Sequence, residues 1–393
     1  MKTFQQFLCP FLFFFINFNK VQEICMSKRL KITHVDIYPF NVSSEHVFKI
    51  ATMTVSGAQN VLIRIRTSDG LEGWGEASPF RAIVGETQKI NLTAALEIRD
   101  MLIGKDPLEY ATRVREMDAF LPRNSTIKSA FDMALYDLAA KHAGLPLYAF
   151  LGGEKREMET DLTMGIGDLE KAGEDAMKIV KKGFRKIKTK VGIDPEEDVL
   201  RLRMIREAVG PDIKIRIDAN QGWDRVTAVR CLHQMEELDI EICEQPVRRH
   251  DLEGMRYISQ HTSIPIMADE SVFSPEDALE VIRMQAAPMI NIKLSKSGGI
   301  KNAIMIANIC EAAHIPCMTG CMSESGLANT AFCHFAMAHP VVKYFDLDAN
   351  VGHIDEPIIG GVIIENGMIR FPDDMIGIGA EPDPDFIKKM KSL

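Results

Sequence analysis

The stretch KIKTKVGIDPEEDVLRLRMIREAVGPDIKIRIDAN, residues 186–220, holds one complete strand, helix and strand. KIKTKV (186–191) alternates like a short β-strand running into a glycine, so Lys186, Lys188 and Lys190 share one face. The segment that follows reads as a helix. Asp194 is a natural N-cap, Pro195 suits the first helical position, acids fill the first turn and Gly210 follows the end. Val199, Leu202, Ile205 and Val209 make one apolar stripe, the face of a helix laid on a sheet. IKIRIDAN (213–220) returns as a strand closed by Asp218 and Asn220.

The unit recurs. Apolar or β-branched runs stand at ETDLTMGIG (159–167), IEICEQP (240–246), IPIMADE (264–270), MINIKL (289–294), IPCMTGCM (315–322) and VKYFDLD (342–348). With the two above, their starts fall 24 to 27 residues apart, which is room for a strand, a helix and two tight connections. Eight such units predict an α/β fold, a (β/α)8 barrel. Ahead of it, VLIRIRTSDGLEGWGEA (61–77) reads as a hairpin turning at Ser68, Asp69 and Gly70, and 125–144 as a capped helix ending at Gly144. After about residue 355, GGVIIENGMIRFP (360–372) is another hairpin. The divisions expected are an extension over 1–27, an α+β domain over 28–155, the barrel over 156–354 and a segment over 355–393 that returns to the first domain.

Composition narrows the function. A chain of 393 residues with a formal charge of −9 and no Lys/Arg run offers no field for nucleic acid or an anionic membrane, so a small-molecule partner is expected. The eight cysteines are scattered with no C-x-x-C pair, which argues against a zinc knuckle or a disulfide framework and for a reducing, cytoplasmic setting. Residues 1–25 contain an apolar run too short to span a bilayer, with no small-x-small cleavage site before Met26. Translation starting at Met26 is the favoured reading, and a periplasmic or secreted protein is the alternative.

Barrel enzymes place their chemistry at the C-terminal ends of the strands. Those ends carry Thr163, Lys188 and Lys190, Asp218 and Asn220, Glu244, Asp269 and Glu270, Lys293, Glu324, then Asp346 and Asp348. Any one of them alone would be a solvated or paired charge. Together they differ. Acids closing three successive strands repel one another unless a cation sits among them, and an all-oxygen set on a rigid frame suits Mg2+. Lys188 beside Lys190 would lower the latter's pKa toward that of a general base, with Lys293 roughly across the barrel.

KTK at 188–190, DANQGW at 218–223, EQP at 244–246, ADES at 268–271 and NIKLSKSGG at 291–299 resemble the enolase superfamily, specifically its muconate-lactonizing branch. The match covers nearly the whole chain after the extension. It implies a capping domain built from both chain ends, a (β/α)7β barrel and Mg2+ held by Asp218, Glu244 and Asp269. The superfamily is known for a lysine or histidine base that works with Mg2+ through an ene-diolate. Asp346-Leu347-Asp348 resembles the D-x-D motif of dipeptide epimerases, whose acids hold the substrate's terminal ammonium; the plainer reading is one acid paired with a lysine and the other solvated.

The resemblance implies 1,1-proton transfer at the α-carbon of a dipeptide's C-terminal residue. Lys190 and Lys293 would serve opposite faces, Lys188 would tune Lys190, Asn220, Glu270 and Glu324 would support the metal ligands, and Thr163 and Met322 would lie beside the substrate. Met53 stands where Ala-Glu epimerases carry an arginine, which implies a small or apolar C-terminal residue, although Arg81 could supply a replacement cation. No G-x-G-x-x-G or Walker sequence suggests an organic cofactor. The partners implied are a dipeptide and further copies of the chain, and the setting is peptidoglycan-peptide recycling. Alternatives on the same scaffold are o-succinylbenzoate synthase, N-acylamino acid racemase and muconate cycloisomerase, whose substrates lack a free amine. A metal-dependent peptide-binding protein without catalysis would have no need of opposed lysines.

Overall fold

The computed structural model describes residues 29–393; the extension over 1–27, with both readings of its start, lies outside them. Three antiparallel strands come first: β1 (Ile32–Lys49), β2 (Thr54–Thr67) and β3 (Glu72–Ala77). The β2–β3 turn closes at Gly70, whose N–H reaches the Thr67 carbonyl at 3.1 Å with φ +89°. A buried helix, Ser125–Ala143, lies directly on β3. It can come this close because a Cβ at Gly73 or Gly75 would stand 2.2 or 2.0 Å from the Ala134 or Ala130 carbonyl oxygen.

The barrel strands are β4 (Leu162–Met164), β5 (Lys186–Lys190), β6 (Lys214–Asp218), β7 (Ile240–Glu244), β8 (Ile266–Ala268), β9 (Met289–Ile292), β10 (Cys317–Gly320) and β11 (Val342–Asp346). They are hydrogen-bonded in that order, every neighbouring pair parallel. The helix after β5 is Pro195–Val209, and the Asp194 carboxylate accepts from the backbone N–H groups of Glu196 and Glu197. Helices follow each of the first seven strands.

The eighth strand breaks the repeat that the spacing suggested. After β11 the chain forms β12 (His353–Ile354), which pairs with β1 at Ser43 and Ser44. Residues 349–361 carry three glycines and a proline and no helical stripe, and the free edge of the cap sheet takes them instead. The result is a (β/α)7β barrel with an α+β cap, as the resemblance implied.

No ladder joins β11 to β4; one long backbone bond, Asp161 N–H to the Phe345 carbonyl at 3.5 Å, crosses that seam, and side chains do the rest. Arg216, on β6, donates from Nη1 to Asp161 Oδ2 (2.8 Å) and the Phe345 carbonyl (2.9 Å), and from Nε to Glu241 Oε2 (2.6 Å). Beneath the mouth the interior is filled by Ile242, Met267, Met289 and Met318, with Tyr344 against them. At the C-terminus, β13 (Ile358–Gly360), β14 (Ile363–Glu365), β15 (Met368–Arg370) and β16 (Ala380–Pro382) form two short ribbons. The β14–β15 hairpin stays at the N-terminal end of the barrel, with Thr160 N–H on the Gly367 carbonyl and Ile369 N–H on that of Met158. The chain end itself reaches the cap, where Ile37 N–H donates to Ser392 Oγ and Leu393 N–H to the Ile37 carbonyl, both at 3.0 Å. No helix among the described residues is long and apolar enough to cross a membrane, and the six described cysteines are free thiols.

Removing Arg216 would leave the buried Asp161 carboxylate without its cation. Arg216→Met is expected to lower the unfolding free energy by roughly 3–5 kcal/mol, read as a reduced urea midpoint. A midpoint equal to that of the parent would show that the seam does not depend on the Arg216–Asp161 pair.

Candidate active site

Period-two alternation turns Lys188 and Lys190 of β5, and Arg216 and Asp218 of β6, into the barrel. Where β6 and β7 end, the backbone enters the left-handed region: φ is 41° at Asn220, 69° at Gln221 and 36° at Gln245. Such residues cost on the order of 1–3 kcal/mol each, and local hydrogen bonds hold them. Gln245 Oε1 accepts from the N–H groups of Asp269 (2.9 Å) and Ser271 (3.2 Å), and Asn220 N–H donates to Asp218 Oδ1 (2.9 Å). These turns aim the strand-end carboxylates across the mouth.

The lysines and acids meet in one buried cluster. Lys188 Nζ lies 2.5 Å from Glu244 Oε2, 2.7 Å from Asp346 Oδ2 and 3.2 Å from Asp218 Oδ2. Lys190 Nζ reaches Asp218 Oδ2 at 2.5 Å, and Lys293 Nζ reaches Asp269 Oδ2 at 2.9 Å. In the eight-stranded order β5 and β9 are four strands apart, so Lys190 and Lys293 approach from opposite sides. Asn220 Nδ2 donates to Glu270 Oε1 (3.2 Å), while Glu324 accepts from Ser295 Oγ (2.8 Å) and Met322 N–H (2.5 Å).

Charge in this cluster is unbalanced. Seven carboxyl groups are buried here, Asp218, Glu244, Asp269, Glu270, Glu324, Asp346 and Asp348, against four lysines, 188, 190, 293 and 296. Burial, then the neighbouring Asp218, pushes Glu244 up to about 7; burial, then Asp269 and Asp218, pushes Glu270 up to about 8. Burial also acts to raise Asp269 and Asp346, but Lys293 and Lys296 hold the first well below the usual carboxylate range, and Lys188 leads the groups that hold the second at about 2. Burial disfavours a proton on Lys188 and Lys293, and the surrounding acids outweigh it and raise both. Lys188 is therefore committed to three carboxylates rather than acting simply as a neighbour of Lys190.

These residues fit a hard divalent cation. The donors of Asp218, Glu244 and Asp269 are all oxygen, negative charge is in excess, and Glu270 Oε2 and Asn220 Oδ1 are buried without a hydrogen-bond partner. Glu244 Oε2 and Asp269 Oδ1 touch the ammonium groups of Lys188 and Lys296 without the alignment of a hydrogen bond.

A cavity of roughly 550 Å3 opens at the mouth, with Thr163, Lys190, Cys321, Met322, Asp346 and Asp348 on its wall. Asp348 Oδ2 accepts from Thr163 N–H (2.6 Å) and its Oδ1 from Cys321 Sγ (3.5 Å), and it has no lysine or arginine partner among the described residues. Thus Asp346 is paired and Asp348 is open to the cavity. Met53 and Arg81 line a second cavity of about 480 Å3, which shares Ser323 with the first, and the Met53 carbonyl accepts from Ile50 N–H next to Lys49 on the first cavity's wall. Ser323, in the loop over 321–324, is on the wall of both cavities.

That loop is held from the cap. Glu76, at the end of β3 and fully buried, accepts from Asn60 Nδ2 (2.6 Å), Ser325 N–H (2.9 Å), Ser325 Oγ and Ala328 N–H (3.3 Å) at the start of the helix Gly326–Ala338. Asn60 Nδ2 also binds the Ser323 carbonyl at 2.8 Å. Asp132 does the same for the helix Ile300–Ala312 through Ile300 N–H. Motif reading missed Glu76, Asn60, Asn291, Cys321 and Lys296. Asn291, which donates to Glu244 Oε1 at 2.7 Å, was legible, because it lies two residues before Lys293 on one strand face. Glu76 was not, since its partner is 249 residues away.

Two family models match the chain, the mandelate racemase/muconate lactonizing enzyme N-terminal domain over residues 33–152 and the enolase C-terminal domain-like model over 171–386. Among curated relatives, the D-Ala-D/L-Ala epimerase of Cytophaga hutchinsonii is 43% identical over 92% of this chain and 99% of its own. The L-Ala-D/L-Glu epimerase of Clostridium acetobutylicum is 37% identical over 89% and 98%. Among solved structures, the Cytophaga hutchinsonii dipeptide epimerase complexed with Mg and D-Ala-L-Val superposes with a TM-score of 0.91 at 42% identity, covering 92% of this chain and 99% of that one.

Burial raises Glu76 from its ordinary 4.5 to about 7. Between those values the folded chain keeps a proton that the unfolded chain has lost, so the stability tied to this group is whole below pH 4.5 and is lost as pH rises to about 7. Glu76→Gln is expected to remove this slope. Relative to the variant, the parent should lose up to ~3 kcal/mol across that window and nothing further above it. Parallel stability curves for the two proteins from pH 4.5 to 7.5 would contradict the assignment.

Proposed function

We infer the function from one premise: this chain belongs to the mandelate racemase/muconate lactonizing enzyme family of the enolase superfamily and is an isomerase. We propose that it is a Mg2+-dependent dipeptide epimerase that inverts the α-carbon of the C-terminal residue. The observation that carries the reading is the pair Lys190 and Lys293, brought from opposite sides of the barrel onto Asp218 and Asp269. Binding alone would not need a lysine on each side.

Asp218, Glu244 and Asp269 would hold the cation, in keeping with the Mg in the Cytophaga hutchinsonii complex. When bound, Mg2+ supplies positive charge to the substrate carboxylate and eases the negative charge that builds there as the α-proton leaves. With those acids engaged, Lys293 would lose the groups that hold its proton, and burial would then lower its pKa toward the range of a general base. One of Lys190 and Lys293 takes the proton and the other returns one to the opposite face, so the configuration inverts. Lys188, buried between Asp218, Glu244 and Asp346, keeps its charge beside Lys190.

Asp348 is the acid open to the cavity and would receive the substrate's terminal ammonium, with Asp346 behind it and Thr163 orienting both. Ile166 and Met322 add apolar surface to the cavity wall, which supports a small or apolar C-terminal residue. The Ala-Ala epimerase among the relatives agrees with that preference, and the Ala-Glu epimerase is the competing pattern. The substrate would be met in the cytoplasm, by a homo-oligomer, in the recycling of cell-wall peptides.

The test is NMR in D2O with Mg2+ and a mixed library of L-Xaa-L-Yaa and D-Ala dipeptides. Deuterium should enter at C-terminal α-carbons only, Ala-Ala and Ala-Leu types should turn over ahead of Ala-Glu, and Lys293→Ala should lose inversion. EDTA should abolish exchange and added Mg2+ restore it. Exchange in N-acylamino acids with none in any dipeptide would move the assignment to racemase chemistry.

A further inference from the structure

Lys296 is a fully buried cation that the reaction above leaves without a task. It belongs to the short helix Leu294–Ser297 that follows β9, three residues beyond Lys293. Its ammonium donates to the main-chain carbonyl of Asp269 at 2.5 Å and to that of Asn291 at 3.2 Å, and lies 2.5 Å from Asp269 Oδ1. The Phe273 ring covers it, 5.7 Å from ammonium to centroid. Burying an ammonium costs several kcal/mol unless oxygens surround it, and an apolar side chain of similar size would fill the space without that cost.

The two oxygens of Asp269 have different holders. Oδ1 faces Lys296, sealed inside the barrel wall, while Oδ2 faces Lys293 at the strand end. Lys296 also bonds the Asn291 carbonyl, and the side chain of that same asparagine donates to Glu244 Oε1 at 2.7 Å. One ammonium thus fixes the backbone and carboxylate of Asp269 and the backbone of the residue that orients Glu244.

We propose that Lys296 is a positioning residue for the cation site, holding Asp269 Oδ1 so that Oδ2 alone is presented at the mouth. The proposal rests on the Mg2+ reading above. Without Lys296 the Asp269 carboxylate is free to turn, and both its oxygens can pair with Lys293. Mg2+ affinity then falls, and the base stays tied to its acid.

Calorimetric titration of Mg2+ into the full chain, with no peptide present, tests this on Lys296→Met and Lys296→Gln. Lys296→Met should bind Mg2+ roughly 10- to 100-fold more weakly than the parent. Lys296→Gln, which retains a donor, should lose less, and turnover by Lys296→Met should recover toward that of the parent as Mg2+ is raised. Parental Mg2+ affinity in a Lys296→Met variant that keeps its circular dichroism would overturn the proposal; if that variant does not fold, Lys296→Gln decides it by the same criterion. A parent chain that binds no Mg2+ would overturn the metal reading itself, a result distinct from a loss confined to the variants.

Discussion

Seven carboxyl groups and four lysines are buried together at one end of the barrel, and the rest of the structure can be understood as what keeps them there. Carboxylates at this spacing repel, and water is too scarce to screen them. Each lysine is therefore bound to acids, and the acids that lysines do not reach, Glu270 above all, keep their protons to higher pH. Lys190 and Lys293 each hold one oxygen of a strand-end acid, Asp218 Oδ2 and Asp269 Oδ2.

The cap is docked by related electrostatics. Glu76 and Asp132, both buried and both from the cap, accept from the first N–H groups of barrel helices, where four donors lack an intrahelical partner. The first of these contacts sets the position of the loop over 321–324, which forms a wall of the main cavity on one side and of the Met53 cavity on the other. The cap therefore borders the main cavity through that loop, and the close packing of β3 on the helix Ser125–Ala143 places Glu76 where it can hold it.

The parallel strands, the helix caps and the strand-end charges were legible in the chain because each depends on local physics: alternation with period two, N-caps such as Asp194, breakers such as Gly210. The repeat misled at one point, after β11, where an edge of the cap sheet offered pairing that no local signal announces. Lys188 shows a different limit. Its position on the strand face was evident, but its three carboxylate partners come from β6, β7 and β11, and only closure of the barrel brings them together.

What the sequence by itself determined was therefore the barrel, the identity of the charges at its mouth and the family, because spacing and side-chain chemistry survive in one dimension. What only the tertiary structure decided was which acid is paired and which is open, Asp346 or Asp348, and what Lys296 and Glu76 hold. Those outcomes depend on distances between residues up to about 250 positions apart, set by how eight strands close and where the cap lands.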